Sequence, residues 1–560
     1  MRSIVIYIAL AAVAARAETV VSDVIVYGGT AAGVIAAVSA AREGAKVTLV
    51  EPGRHLGGMM SGGLGWTDFG DKTVIGGMSL GMFQRFGKKY ATDIAWTFEP
   101  HVAESVFNEL AREAAIEIRL ATRLKEKGAV SKEGPRITQF VAENGDVYQA
   151  KVFLDATYEG DLMAQAGVSY TYGREATSQY GESLAGVRPR TSAHQFTDGL
   201  SPKAPGGALY PEILSTARGT VGSGDKKVQA YNYRLCMTDD PAGLVPWAKP
   251  AGYDAARYAL LAHHADTLMK TAGGAAPGIG KFCKTDRVRG KKTDTNNNGG
   301  FSTDFIGHNW DYPDASYARR AEIWKEHKDY IQGFFYFLAN DPSIPQGTRD
   351  DVSKWGLAKD EFADNGNWPH QLYVREARRM VGEYVMVQTD IQTDVTKAEG
   401  IGMGSYKSDS HHVQRIVNDK GAVENEGDMQ VTTKPYEIPY RILAPKRAEA
   451  ANLLVPVCFS ASHVAYSTLR MEPQYMIIGQ AAGIAAAMAW KADKAVQEID
   501  VQALRAKLKA LKAELGTTPV TVARIVPLRP APAGFPGEAF RPDGRSLRAL
   551  GAAGARLALP

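Results

Sequence analysis

Apolar and polar positions change period along the chain, and each change marks an element. Residues 24–27 are a β-branched apolar run ending in Tyr27, the pattern of a strand buried on both faces. Gly28 and Gly29 break the run, and residues 31–41 are small and helix-forming. Residues 46–50 read as a second strand, closed by Glu51. Helical spacing returns over 83–90 and over 104–115, where Val106, Phe107 and Leu110 share a side. Residues 116–120, 137–141 and 148–154 read as strands. From 166 to about 430, strand and helix no longer alternate. That stretch holds aromatic and polar clusters and one amphipathic helix, 315–338. Ile323, Trp324, His327, Tyr330, Ile331, Phe334, Phe335 and Leu338 form its core face. Residues 453–457 are again an apolar strand. Residues 479–487 are nearly all small and predict a helix close against a neighbour, and 501–515 predict a last amphipathic helix.

Strand, turn, helix, strand and acid over residues 23–51 make a βαβ unit of the dinucleotide-binding kind. A turn with little side chain lets a pyrophosphate approach the backbone, and the helix N-terminus offers free N–H groups and partial positive charge. Gly33 allows helix and strand to pack closely, and Glu51 can accept from ribose hydroxyls. The middle glycine of the G-x-G-x-x-G pattern is replaced by Thr30. The glycine run from Gly53 to Gly65 predicts close backbone approach to a bulky cofactor, and Arg54 is placed to pair with a phosphate. The strand over 148–154 runs into Asp155-Ala156-Thr157, a second place for a nucleotide to lie against backbone. Asp161 either joins that contact or caps the next helix.

A chain of 560 residues exceeds one ordinary core, so two domains or one large composite are expected. The first 17 residues read as a signal peptide: Arg2, an apolar run over 4–14, and Ala15-Arg16-Ala17 as the cleavage pattern, with Glu18 as the mature start. The apolar run is shorter than the roughly 20 residues that a membrane span needs. Residues 475–490 are also too short and are interrupted by glycine and Gln480. The net charge of +4 gives no nucleic-acid footprint. The signal segment carries +2 and the tail from Arg524 carries +4, which leaves the body at −2. That tail is rich in Pro, Ala, Gly and Arg and predicts disorder. Cys236, Cys283 and Cys458 are too far apart for a disulfide framework, although one bridge is open to them. Asp409-Ser-His-His412 has no partner at ligand spacing, so no metal is expected.

Two glycine-rich elements, one near each end, flank the large middle region. On the residues Val26-Tyr-Gly-Gly-Thr-Ala-Ala-Gly33 with Glu51, Leu56-Gly-Gly-Met-Met60, Asp155-Ala-Thr157 with Gly160-Asp161, Gly402 through His411, Pro435 through Arg441, Ser460-Ala-Ser-His463, Arg470-Met-Glu-Pro473 and Gly479-Gln-Ala-Ala-Gly483, the chain resembles FAD-dependent oxidoreductases with the two-dinucleotide-binding-domain motif. It looks most like a secreted bacterial family, some members of which carry the label xanthan lyase by name transfer. The resemblance covers about residues 22–490. It implies an α/β fold: a Rossmann-like FAD-binding domain of the glutathione-reductase type with a large inserted α+β substrate domain. The parts are 18–165 and 431–518 for the FAD-binding domain, 166–430 for the insert and 519–560 for the tail.

The resemblance further implies that Gly28, Gly29, Thr30, Ala31, Ala32 and Gly33, with Glu51, hold the ADP half of FAD, and that Arg54, Gly57, Gly58 and Met59 line its pyrophosphate and ribityl region. Ala156 and Thr157 lie against the nucleotide. Ser460 stands near the place where related enzymes carry an acidic residue, and Gly479, Gln480, Ala481, Ala482 and Gly483 begin the helix aimed at the flavin. The expected activity is hydride transfer to flavin from a small polar, carbohydrate-like substrate in the periplasm or outside the cell, with an unassigned electron acceptor. The alternatives are amine oxidation or desaturation on the same flavin, a polysaccharide lyase, and a non-redox binding protein. His463 is the expected general base, since a neutral imidazole takes a hydroxyl proton near pH 7. Tyr436, Arg441 and His411 stand in reserve. Arg174, Arg234 and Arg375 are the cations expected to meet a polar substrate, each with a structural ion pair as its alternative.

Overall fold

In the computed structural model, which describes residues 17–516, the first unit forms as its pattern requires. Strand β1 (Thr19–Tyr27) leads into helix α1 (Ala31–Arg42) and strand β2 (Val47–Val50). Helices α2 (Gly77–Lys89) and α3 (Pro100–Glu113) follow, then β3 (Glu117–Arg119), β4 (Val130–Glu133), β5 (Arg136–Val141) and β6 (Val147–Asp155). The sheet order is β3-β2-β1-β6-β5-β4, and Leu453–Leu454 also pairs with β6. β3, β2, β1, β6 and the late pair run parallel, whereas β5 and β4 are antiparallel. Register aligns Tyr27 with Val50 on one side and with Asp155 on the other, so three strands end at one level. Ligands of open parallel sheets bind in the crevice beyond such ends.

The late strand is shorter than its apolar run. Only Leu453 and Leu454 pair, because Pro456 has no N–H to donate and the chain leaves the sheet there. The helix over the small residues also differs from the expectation. It runs Glu472–Ala492, so it starts seven residues before Gly479, with Pro473 in its first turn where a missing N–H costs nothing. Gly479 and Gly483 therefore lie in its middle, pressed on α1. A Cβ on Gly479 would come within 2.4 Å of the Ala32 carbonyl oxygen, and one on Gly483 within 2.1 Å of that of Ala36.

The middle region is built on an antiparallel sheet of Cys283–Arg287, Lys292–Asn297, Leu235–Thr238, Gly356–Ala358 and Leu244–Val245, in that order. Its long helix, Tyr317–Asn340, is capped by the Ser316 hydroxyl and buries Ile323, His327, Tyr330, Ile331, Phe334, Phe335 and Leu338. Trp324 departs from that face: it is half-buried and faces a cavity. One apolar cluster joins Val24 and Ala32 to Phe305, Phe334 and Ile484, so the core continues across residues 165 and 430. The three cysteines are free and buried. Among the described residues no helix is long and apolar enough to cross a membrane. The signal-peptide pattern, apart from Ala17, and the tail from 517 lie outside the described residues.

Candidate functional site

The ends of β1, β2 and β6 open on a cavity of about 560 Å³. Gly28, Thr30, Glu51, Gly53, Arg54, Gly58, Thr157, Tyr158 and Asp161 line one side. Tyr312, Tyr317, Arg320 and Trp324, from the long helix and the turn before it, line the other.

The turn at its base is fixed by close contacts. Gly28 has φ +106°, and a Cβ there would sit 2.7 Å from the Ala156 carbonyl carbon. A Cβ on Gly33 would lie 1.9 Å from the Gly28 carbonyl oxygen. Thr30, where the glycine pattern breaks, is the N-cap of α1. Its hydroxyl donates to the Ala156 carbonyl at 2.7 Å and accepts from Gly33 N–H at 3.2 Å. The substitution thus ties helix to sheet and leaves the other early amides of α1 for an acceptor. Ala31 and Ala32 are buried in that first turn. Glu51 accepts from Gly29 N–H and from Gly53 N–H, each at 2.5 Å. Burial pushes its pKa up to about 7 against those two hydrogen bonds. Each oxygen keeps a lone pair for a ribose hydroxyl.

Asp155 is an organiser of the neighbouring turn. It accepts from Thr157 N–H, the Thr157 hydroxyl and Met163 N–H. Asp161 does not cap the following helix, whose N-cap is Gly160; it is that helix's first residue. Its carboxylate takes Arg320 at 2.6 and 3.1 Å and Arg378 at 2.6 Å. Burial alone would raise its pKa, but the two arginines hold it below the usual carboxylate range. Arg54 is exposed at the cavity mouth. Gly57 and Gly58, with φ +102° and +55°, carry the chain to Met59, whose N–H donates to the Tyr158 hydroxyl at 2.9 Å. Ser460 lies apart from this turn, donating to the Tyr384 carbonyl. Gln480 accepts from Met78 N–H, and Ala481 and Ala482 are buried in the helix core. A cradle that a Cβ would fill, a helix N-terminus and a carboxylate at the second strand together suit a dinucleotide.

A second polar centre gathers around Tyr373. The guanidinium carbons of Arg375, Arg234 and Arg470 lie 4.7, 5.8 and 6.0 Å from its ring centroid. Arg470 donates to the Tyr373 hydroxyl at 3.1 Å and to the Asp409 carbonyl at 2.7 Å. Arg375 pairs with Asp304 at 3.0 Å, and Arg234 with Asp294 at 2.7 and 2.8 Å. His411 Nδ1 meets Asp304 Oδ2 at 2.6 Å. Burial, then Arg375, pushes the His411 pKa down to about 4, so the ring is neutral. Two of the three arginines singled out from sequence thus meet here, with His411. Tyr373, Asp304 and Arg470 were missed as site residues. Their signal was the aromatic and polar clustering of residues 296–304 and 373–379 and, for Arg470, a charge within the motif Arg470-Met-Glu-Pro473.

The remaining candidates stand outside this centre, although the Gln229 amide, which donates to Glu376 and accepts from His411 N–H, links the centre to His463. Arg174 pairs with Asp225 at 2.6 Å and with Glu426 at 2.7 Å. His463 Nδ1 meets Glu376 Oε2 at 2.8 Å, in a cluster with Glu175 and Arg379, and burial followed by Arg379 pushes its pKa down to about 3. Tyr436 is buried with its hydroxyl 3.0 Å from that of Thr468. Arg441 is largely exposed and pairs with Glu399. Among the described residues, Glu99, His101 and Glu361 stand at metal-ligand spacing. The Lys292 ammonium is 2.8 Å from Glu99 and 2.7 Å from Glu361, in the place a cation would take.

The family model described as FAD dependent oxidoreductase matches residues 23–508. No curated protein matches the sequence. Similar solved structures include L-proline dehydrogenase from P. horikoshii, at 16% identity over 29% of this chain and 59% of that one, TM-score 0.23. OxyS anhydrotetracycline hydroxylase from Streptomyces rimosus shares 13% over 33% and 38%, TM-score 0.23. Thioredoxin reductase of T. acidophilum shares 18% over 29% and 40%, TM-score 0.17. The chain spans less than two thirds of each, and at these scores the likenesses bear on neither substrate nor partner.

Proposed function

The chain belongs to the FAD-dependent oxidoreductases and FAD is its cofactor; on that premise we propose an exported enzyme that oxidises a small polar, carbohydrate-like substrate, with His411 taking the substrate's proton. Gly28 to Gly33 and Glu51 would hold the ADP half, and Gly57, Gly58 and Met59 the adjoining part. When bound, the flavin supplies a two-electron acceptor. The chain's own residues position the substrate and move the proton. Arg375 and Arg470, 0% and 2% exposed, hold the Tyr373 ring and the charge around it from buried positions, and His411 offers an unprotonated nitrogen.

The observation that carries this reading is the His411–Asp304 contact beside Arg375. His463–Glu376 has the same pairing and supplies the second reading. Access ranks them: the His411 side chain is 12% exposed and that of His463 is 3%. An anaerobic screen of sugars, polyols and amines, followed by loss of flavin absorbance, tests the substrate class. Bleaching by amines alone would replace alcohol oxidation with amine oxidation.

Export is supported by Arg2, the apolar run and Ala15-Arg16-Ala17. Protein from its native host is expected to begin at Glu18, and an intact mass that retains Met1 would refute export by this signal. The division into 18–165, 166–430 and 431–518 describes how the sequence is organised around this site, with the middle stretch supplying Arg234, Asp304, Tyr373, Arg375 and His411.

A further inference from the structure

Gln229 is fully buried, and its side chain joins the two histidine–carboxylate pairs. Its amide nitrogen donates to Glu376 Oε2 at 2.8 Å, and its amide oxygen accepts from His411 N–H at 3.0 Å. Only one orientation of the amide fits. A main-chain N–H can only donate, so it meets the oxygen, and the NH2 group is left for the carboxylate. Glu376 uses the same Oε2 for His463 Nδ1 and its Oε1 for Arg379. The next residue repeats the link through its backbone. Ala230 N–H donates to the His412 carbonyl at 3.0 Å, and the Ala230 carbonyl accepts from the Arg375 guanidinium, which pairs with Asp304. Residues 229 and 230 thus hold the His411 backbone, the carboxylate partner of His463 and the arginine beside Asp304.

We propose that Gln229 is a positioning residue for proton transfer, setting where the His411 ring stands against Asp304 and coupling it to the His463–Glu376 pair. A base must lie within hydrogen-bond reach of the proton it takes, so a shift of about 1 Å in its backbone is enough to slow the step. This role rests on His411 as the base. It also makes the two candidate histidines ends of one hydrogen-bonded network.

The test uses Gln229→Leu and Gln229→Glu as FAD-loaded protein, with flavin reduction by the sugar, polyol or amine that bleaches the parent fastest. Gln229→Leu keeps the bulk but neither hydrogen bond, and is expected to slow reduction about 10–100-fold with FAD content unchanged. In Gln229→Glu, the new carboxyl faces Glu376, Arg379 and His463 on one side, and His411, Asp304, Arg375, His412 and Asp428 on the other. Both arginines are already paired, Arg379 with Glu175 and Glu376 and Arg375 with Asp304, so burial and Glu376 keep that carboxyl protonated at low pH. Protonated, it donates to Glu376 and accepts from His411 N–H as the amide does; ionised, it cannot donate. Its rate is expected within a few-fold of the parent at pH 6, and the ratio to the parent is expected to fall roughly tenfold by pH 9. A ratio unchanged with pH, or Gln229→Leu at parental speed, would overturn the positioning role where His411→Asn is slow. His411→Asn at parental speed would instead remove the base on which the role rests. Stability lost in urea with no loss of rate would make Gln229 a structural strut. Should Gln229→Leu not fold, Gln229→Glu decides alone, with FAD content at each pH as the check on folding.

Discussion

Asp304 Oδ2 and His411 Nδ1 lie 2.6 Å apart across 107 residues of sequence, and that contact decides which ring nitrogen is free. Burial works to raise the Asp304 pKa, but Arg375 and His411 hold it well below the usual range, so the carboxylate only accepts. Nδ1 therefore carries the hydrogen, and Nε2 keeps its lone pair.

His411→Asn is expected to slow substrate-driven flavin reduction by ~10²–10⁴-fold with FAD content unchanged. With the imidazole titrating at about 4, the parent's rate is expected to be level from pH 8 to near 5 and to fall below that as Nε2 takes a proton. Stopped-flow reduction across pH checks both. A His411→Asn variant at parental speed, beside a slow His463→Asn, would move the proton transfer to His463.

The arginines separate by what their loss leaves behind. Arg470→Lys keeps the charge but loses the planar fork, so KM is expected to rise with stability near parental. Arg174→Met strands Glu426, 0% exposed, and is expected to cost about 3–5 kcal/mol of stability without a specific change in KM. Urea unfolding alongside steady-state kinetics distinguishes them. An unstable Arg470→Lys with parental KM would make Arg470 a structural residue.

Gly33→Ala adds one methyl group, 1.9 Å from the Gly28 carbonyl oxygen. Helix and turn must separate, so purified protein is expected to hold little FAD, with at least a tenfold loss of affinity, about 1.4 kcal/mol. The ratio of flavin to protein absorbance reports this. Parental loading would mean that the turn yields without harm.

His264 is 1% exposed and neither ring nitrogen has a partner. Burial, then Arg415, pushes its pKa down to about 4. Below about 6.5 the unfolded chain binds a proton that the folded one refuses, so stability falls as pH drops from 6.5 toward 4. His264→Leu is expected to reduce the loss of stability between pH 7 and pH 5 by about 2 kcal/mol. Unfolding curves at the two pH values decide it, and identical losses in parent and variant would show that the imidazole is protonated in place.

The first βαβ unit was legible because its signals are local: period, glycine turn and closing acid all fall within residues 23–51. The late helix was misplaced for an instructive reason. Small residues from Gly479 onward mark close packing on α1, whereas the start was marked by Pro473, a first-turn residue. The centre around Tyr373 was only partly legible. Asp304, Tyr373, His411 and Arg470 come together through long-range antiparallel pairing and loop contacts, which no linear spacing records. Trp324 matched the apolar period of its helix, but period alone does not separate a core position from a cavity wall.

Gly479 and Gly483 let two helices touch backbone to backbone, and one of them, α1, starts from Thr30 on the wall of the cavity proposed for the cofactor. Any side chain at either glycine would push α1 away and shift the end that borders that cavity. The fold thus transmits wear at a hidden seam to the binding surface. Substitutions there would surface first as colourless protein that is still folded, so a survey of inactive variants sorted by flavin colour would trace the seam without any structure at all.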